Sequence, residues 1–227
     1  MTENGSSLRA FITGGSRGIG KATVAAFEER GYEVVAPTRA ELDLLSRESI
    51  AAYLAEHAGE RFDTVVNNAG INDITAIEDA DDATIERMFS VDLIAPVLLL
   101  RGLIPSLKKS SCGRIVNIGS IWASVSKPGR GLYSAAKNGI HGLTNALAVE
   151  LGSDGILVNT VCPGFTATEL TVQNNTPEQI KSIEREIPLQ RMARPEEIAS
   201  VVCFLGSDAN TYITGQKIMV DGGFTAR

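Results

Sequence analysis

Histidine is nearly absent from this chain: His57 and His141 are the only two in 227 residues. That is too few for a histidine-built metal site, and neither residue is assigned a role. Cysteine is scarce as well. Cys112, Cys162 and Cys203 are far apart and odd in number, which fits neither a zinc pattern nor a disulfide framework, so they read as reduced thiols in a cytoplasmic protein. An excess of basic charge is also missing. The formal net charge is −6, which argues against nucleic acid or an anionic membrane surface as the main partner. The densest apolar run, Leu93 to Leu100, falls far short of a membrane span and ends at Arg101. Met1 to Ser7 are polar and lead into no basic-then-apolar stretch, so no secretory leader is expected.

What is present is apolar material, 44 % of the residues, ample for a single core. It is arranged as alternating strands and helices. Strand-like runs cover Leu8 to Thr13, Tyr32 to Ala36, Phe62 to Val66, Arg114 to Ile118, Ile156 to Val161 and Lys217 to Val220. Between them the spacing predicts helices over Lys21 to Arg30 (with Gly31 as its C-cap glycine), from the N-cap Ser46 through Ala58, from about Ala83 to Lys109, over Leu132 to Leu151, and over Pro195 to Leu205. Pro96 and Pro105 predict a break or kink near each. Strands apolar almost throughout, alternating with helices, imply an α/β fold with a mainly parallel sheet covered by helices on both faces. No repeat or linker divides residues 1–227, so one doubly wound domain is expected.

Two stretches carry chemistry. The first is Thr13-Gly14-Gly15-Ser16-Arg17-Gly18-Ile19-Gly20, placed between the first strand and the first helix. Glycines there allow a tight turn and close backbone approach to a pyrophosphate, with the helix N-terminus offering free N–H groups. The second is Tyr133-Ser134-Ala135-Ala136-Lys137, with a tyrosine and a lysine one helical turn apart. A cation beside a phenol favours the phenolate and suits the tyrosine to giving and taking a proton. Such a pair also occurs on ordinary solvated faces. Ser120, at the end of an apolar strand thirteen residues upstream, is expected to converge with the pair on one carbonyl or alcohol oxygen.

With Asn67-Asn68-Ala69-Gly70, Pro163-Gly164 and the tail Val220-Asp221-Gly222-Gly223, these motifs resemble the short-chain dehydrogenase/reductase family from Leu8 to Gly223, in particular its 3-oxoacyl-acyl-carrier-protein-reductase-like members. The resemblance implies a Rossmann domain and hydride transfer between a nicotinamide and a carbonyl or secondary alcohol, possibly of a 3-oxoacyl or sugar-type substrate. It assigns Tyr133 as proton donor, Ser120 as the group that holds the oxygen, and Lys137 as tuner of the tyrosine and ligand of the nicotinamide ribose. It places the cofactor against Gly14, Ser16, Arg17, Gly18, Ile19 and Gly20, with Asp43 and Leu44 at the adenine and Asn68, Ala69 and Gly70 beneath the ribose. Pro163, Gly164, Phe165, Thr166 and Thr168 would border the nicotinamide and phosphates, and Asn67 reads as structural. No acid ends the second strand; the chain reads Ala36-Pro37-Thr38-Arg39. Arg39 and Arg17 could therefore meet a 2′-phosphate, which favours NADP over NAD, although either could be a plain surface charge.

One position departs from the family. Asparagine is usual before the long central helix, where its backbone carbonyl helps hold a water that links the lysine to solvent. This chain has Asp92, kept as the fourth member of the catalytic set. Substrate recognition is expected from Ile121, Trp122, Ala123, Phe165 and a polar lid over residues 169–191. Trp122 could stack on a substrate, or pack against another subunit or in the core. A carrier-bound substrate would want a basic rim, for which Arg101, Lys127 and Arg130 are sparse candidates. A homotetramer, or second a dimer, would form through the helices over Leu93 to Leu107 and Leu132 to Leu151, unless those faces only cover the sheet. A nucleotide-sensing protein without turnover is the competing reading.

Overall fold

Six strands, all parallel, line up as β2-β1-β3-β4-β5-β6 in the computed structural model, which describes residues 7–169, 171 and 175–226. They are β1 (Arg9–Ile12), β2 (Glu33–Val35), β3 (Thr64–Asn67), β4 (Arg114–Ile118), β5 (Leu157–Pro163) and β6 (Lys217–Val220). β3 and β4 are buried along their whole length, as strands covered on both faces must be. One face carries α2 (Arg47–Glu56), α4 (Ala95–Leu107) and α5 (Gly131–Glu150), packed on Phe11, Val65, Ile115 and Val158. The other carries α1 (Gly18–Glu29) and α7 (Pro195–Leu205), packed on Ala10, Ile12, Val66 and Val116. The chain leaves β1 towards β2 on one side and returns to pair β3 on the other. That reversal opens a crevice beyond the carboxyl ends of β1 and β3, where doubly wound sheets take ligands.

Most element ends fall close to expectation. Ser46 caps α2, its Oγ accepting from the Ser49 N–H at 3.1 Å, and Gly31 stands at φ +84° after α1. α1, however, begins at Gly18 and not at Lys21, so the glycine turn runs directly into the helix. The central helix differs more. α3 (Asp82–Phe89) passes into a wide π turn (Ser90–Ile94) and then α4. Pro96 explains where the widening falls. It has no N–H for the carbonyl four residues back, which is that of Asp92, and its ring crowds that carbonyl. Pro105 sits inside α4 without ending it. The continuous run Asp82–Leu107 is 26 residues and, by length and composition alone, apolar enough to cross a membrane. Here Ala95, Leu99, Leu100, Leu103 and Leu107 spend that apolarity on the core.

The apolar face of α5 likewise turns inward through Leu132, Ala136, Ile140, Leu147 and Ala148. Covering the sheet is thus what both helices do with their Ala/Leu-rich faces. Within the expected lid, α6 (Pro177–Glu186) starts on a reciprocal cap between Thr176 and Gln179 and buries none of its side chains. Residues 170 and 172–174 of that lid, including Gln173 and Asn174, lie outside the described residues, as do the first six.

Candidate active site

The turn after β1 can be built only from glycine at its key points. Gly14 and Gly18 have φ of +68° and +53°, a region that side chains strain to enter. A Cβ on Gly20 would stand 2.0 Å from the Gly14 carbonyl oxygen. The turn is also bolted to the end of β3. The Asn68 amide donates to the carbonyls of Thr13 (2.9 Å) and Gly14 (3.2 Å), and Thr13 Oγ1 accepts from the N–H groups of Asn68 and Ala69, both at 3.0 Å. α1 then starts without a side-chain cap, so its first N–H groups remain for an anion.

This joint forms the floor of a cavity of about 620 Å³. Gly14, Ser16, Arg17, Gly18, Ile19, Gly20, Arg39, Asp43, Leu44, Asn68, Ala69, Gly70 and Thr168 all line it, as expected for a dinucleotide. The uncapped helix start and the cradle closed to any Cβ fit a pyrophosphate. Sequence reasoning missed Pro37, Thr38, Leu42, Ile71, Arg87 and Val91, which also form walls; no spacing rule marks residues outside the motifs as lining. Glu41, the first acid after β2, is not part of the wall. Its carboxylate accepts from the Thr38 N–H (2.7 Å) and hydroxyl (2.8 Å). Arg39 is 78 % exposed and stands 3.7 Å from Asp43.

Pro163, Gly164 and Thr166 are not in these walls either. Pro163 ends β5, where Val161 pairs with Ile118 of the strand that carries Ser120. Gly164 is pressed on Asp221, 2.7 Å from where a Cβ would sit, and Thr166 bridges to Ala193. Asn67 is structural. Its amide donates to Asn117 Oδ1 (2.8 Å), and Asn117 donates to Thr144 Oγ1 (2.9 Å), tying β3 and β4 to α5.

Lys137 is the hub of the chemical end. It is 3 % exposed. Its ammonium donates to the Ile118 carbonyl at 3.0 Å, lies 3.0 Å from Asp92 Oδ1, and sits 5.6 Å from the centroid of the Tyr133 ring one turn back. Asp92 is fully buried in the π turn, and its Oδ2 accepts from the Ile71 N–H at 3.2 Å. Burial works against the ammonium, but the Asp92 carboxylate and the Tyr133 oxygen more than offset it and raise the lysine above its ordinary value. The Asp92 carboxyl is also raised, by burial, with the Lys137 ammonium opposing. Gly70 keeps the space open: a Cβ there would meet Asp92 Oδ1 at 2.6 Å.

Ser120 lies two residues beyond Ile118 and is 6 % exposed. Its Oγ accepts from the Trp122 N–H at 3.2 Å, which leaves the hydroxyl proton for another acceptor. Behind it, burial pushes the Cys162 thiol up to about 11, so the sulfur is an uncharged packing group. Trp122 is also packed, edge-on to Phe165 and Phe224 with centroids 6.0 and 6.3 Å away. Trp122 thus packs against this chain's own aromatics.

A family model described as enoyl-(acyl carrier protein) reductase matches residues 38–225. The chain is 37 % identical to the 3-oxoacyl-[acyl-carrier-protein] reductase FabG of Pseudomonas aeruginosa, over 94 % of this chain and 96 % of that one. Among solved structures, a short chain dehydrogenase family protein from Francisella tularensis superposes with a TM-score of 0.90 at 33 % identity, covering 98 % of this chain and 100 % of its own. A candidate NAD(P)-dependent gluconate 5-dehydrogenase from Beutenbergia cavernae, with NADP bound at low occupancy, gives 0.92 at 31 % identity over 98 % of both chains. Fold, glycine turn and end-to-end likeness agree: the chain belongs to the short-chain dehydrogenase/reductase family.

Proposed function

We propose that this chain is an NADP(H)-dependent oxidoreductase that interconverts a carbonyl and a secondary alcohol, with Tyr133, Ser120 and Lys137 as its catalytic residues and Asp92 as partner of the lysine. The observation that carries the reading is the buried Lys137 beneath Tyr133, beside the strand end that holds Ser120 and the glycine-cradled cavity. Bound in that cavity, the nicotinamide would supply or take the hydride. Tyr133 donates its proton to the substrate oxygen in reduction and removes one in oxidation. Ser120, its Oγ already accepting from Trp122, turns its own O–H towards the same oxygen. Lys137 has three N–H donors. One serves Ile118, one faces Asp92, and the third is left for ribose hydroxyls next to Tyr133.

The preference for NADP is supported by Arg17 and Arg39 in the cavity wall and by the Thr38 N–H and hydroxyl, which engage the Glu41 carboxylate. The NADP-bound relative agrees with it. Titration with NADPH and NADH, followed by a panel of carbonyl compounds, tests the whole reading. NADPH should bind more tightly, at least one carbonyl should be reduced, and Tyr133→Phe should lower kcat by about 10²- to 10⁴-fold while NADPH still binds. Binding without turnover on any member of the panel would sink the catalytic assignment and favour a nucleotide sensor.

A further inference from the structure

Arg130 is the N-cap residue of α5, one turn ahead of Tyr133, and it is 8 % exposed. Its guanidinium carbon lies 5.5 Å from the centroid of Trp122, and the Lys127 ammonium lies 5.4 Å from the same centroid. A third cation, Lys217, donates to the Ala123 carbonyl at 3.2 Å, one residue along that loop. Arg130 Nη1 donates to Asn72 Oδ1, while its Nε is buried with no hydrogen-bond partner. Among the described residues, no carboxylate forms an ion pair with Arg130 or Lys127; Asp73, on the neighbouring loop, is taken by Arg87 at 2.6 Å. Burial works against the guanidinium charge, and the Tyr133 phenol acts the other way.

Two cations on one indole, one of them buried, are costly to hold without an opposite charge. The indole face compensates part of that. The orphaned Nε is among the donors that Asn72 leaves over, and it belongs to the residue one helical turn from the proposed proton donor. We propose that the substrate bears a carboxylate within a few bonds of its reacting carbonyl, and that Arg130, backed by Lys127, receives it. This rests on the oxidoreductase reading above and names its substrate class: a short oxo acid in reduction, a hydroxy acid in oxidation. A planar guanidinium suits a carboxylate, which it can grip with paired N–H groups. A carrier-bound thioester fits less well, because its phosphate sits at the far end of a long arm and not beside the carbonyl.

Two pairs of probes separate charge from shape: 3-oxobutanoate and 4-oxopentanoate, each against its methyl ester, with NADPH as reductant. The acids should exceed their esters in kcat/KM by roughly 10- to 100-fold, the range of a charge-assisted hydrogen bond. Arg130→Gln should collapse that ratio towards one, and Arg130→Lys should restore part of it. Lys127 is exposed, so Lys127→Gln carries little folding risk and should lower the ratio several-fold. Trp122 is the sole tryptophan, so its fluorescence reports binding without turnover; the acids, and not the esters, should change it. Equal rates for acid and ester, or an Arg130→Gln variant that lowers both alike, would overturn the proposal while the oxidoreductase reading stands. Fluorescence binding of the acids with no turnover of any probe would leave an anion site but overturn the substrate class, and the oxidoreductase reading would then stand or fall on the wider carbonyl panel.

Discussion

Asp92 makes two contacts that asparagine could not keep together. One carboxylate oxygen faces Lys137 at 3.0 Å and the other accepts from the Ile71 N–H at 3.2 Å. An asparagine has one acceptor oxygen, so satisfying Ile71 would turn its NH₂ towards the ammonium. In Asp92→Asn, Lys137 would keep the Ile118 carbonyl but lose the carboxylate that does most to offset its burial. The sign follows. Lys137 is raised in the folded state, so its contribution to stability is full below the ordinary lysine value of about 10.4 and is lost as pH rises through the higher folded value. Removing Asp92 moves that loss to lower pH. Asp92 itself is raised by burial, so its ionised form works against the fold at neutral pH, and the two effects oppose. Asp92→Asn should therefore stay active near pH 7, with the alkaline limb of kcat against pH shifted towards acid. Superimposable pH profiles would show that the carboxylate does not set the lysine. Loss of activity at every pH, with an intact fold, would mean the charge is required outright.

At the scale of elements, the joint between the glycine turn and the end of β3 matters most. A methyl on Gly20 would have to displace both the Gly14 carbonyl, at 2.0 Å, and the Asn68 amide, at 2.4 Å. Gly20→Ala should cost about 1–3 kcal/mol and abolish NADPH binding, as read by denaturant melts and cofactor titration. Gly142 is the contrast. It lies exposed within α5, and a Cβ there meets nothing within 4 Å. Gly142→Ala should raise stability by about 0.5–1 kcal/mol and leave NADPH affinity unchanged; if the two variants behave alike, the close approach at Gly20 is not what matters. The glycine turn was legible because its location between strand and helix is a local property of the chain. The π turn was legible only in part. Pro96 announced a disturbance, but placing it on Asp92 requires knowing that the carbonyl four residues back is the one left without an N–H. Asp92 was visible as a departure from the family, whereas its contact with Lys137 joins residues 45 positions apart in sequence and exists only after folding.

For the molecule as a whole, strand composition announced the parallel sheet, because only strands covered on both faces are apolar throughout. Periodicity could not say whether the Ala/Leu-rich faces of α4 and α5 meet the sheet or another subunit; burial shows that they meet the sheet. An assembly through these helices would use what they leave outside. On α4 that surface includes Val97, 37 % exposed between the buried Pro96 and the core-packed Leu98, together with the exposed Arg101. A homotetramer built on the outer sides of α4 and α5 would cover Val97 in both copies, since a two-fold contact brings the same patch together from each. Light scattering should then give four times the 24.1 kDa chain mass. Val97→Asp would place two carboxylates in one dry contact and should lower the mass to a dimer or monomer, with the fold kept because the side chain points away from the core. A wild-type monomer, or a tetramer indifferent to Val97→Asp, would place assembly elsewhere or nowhere.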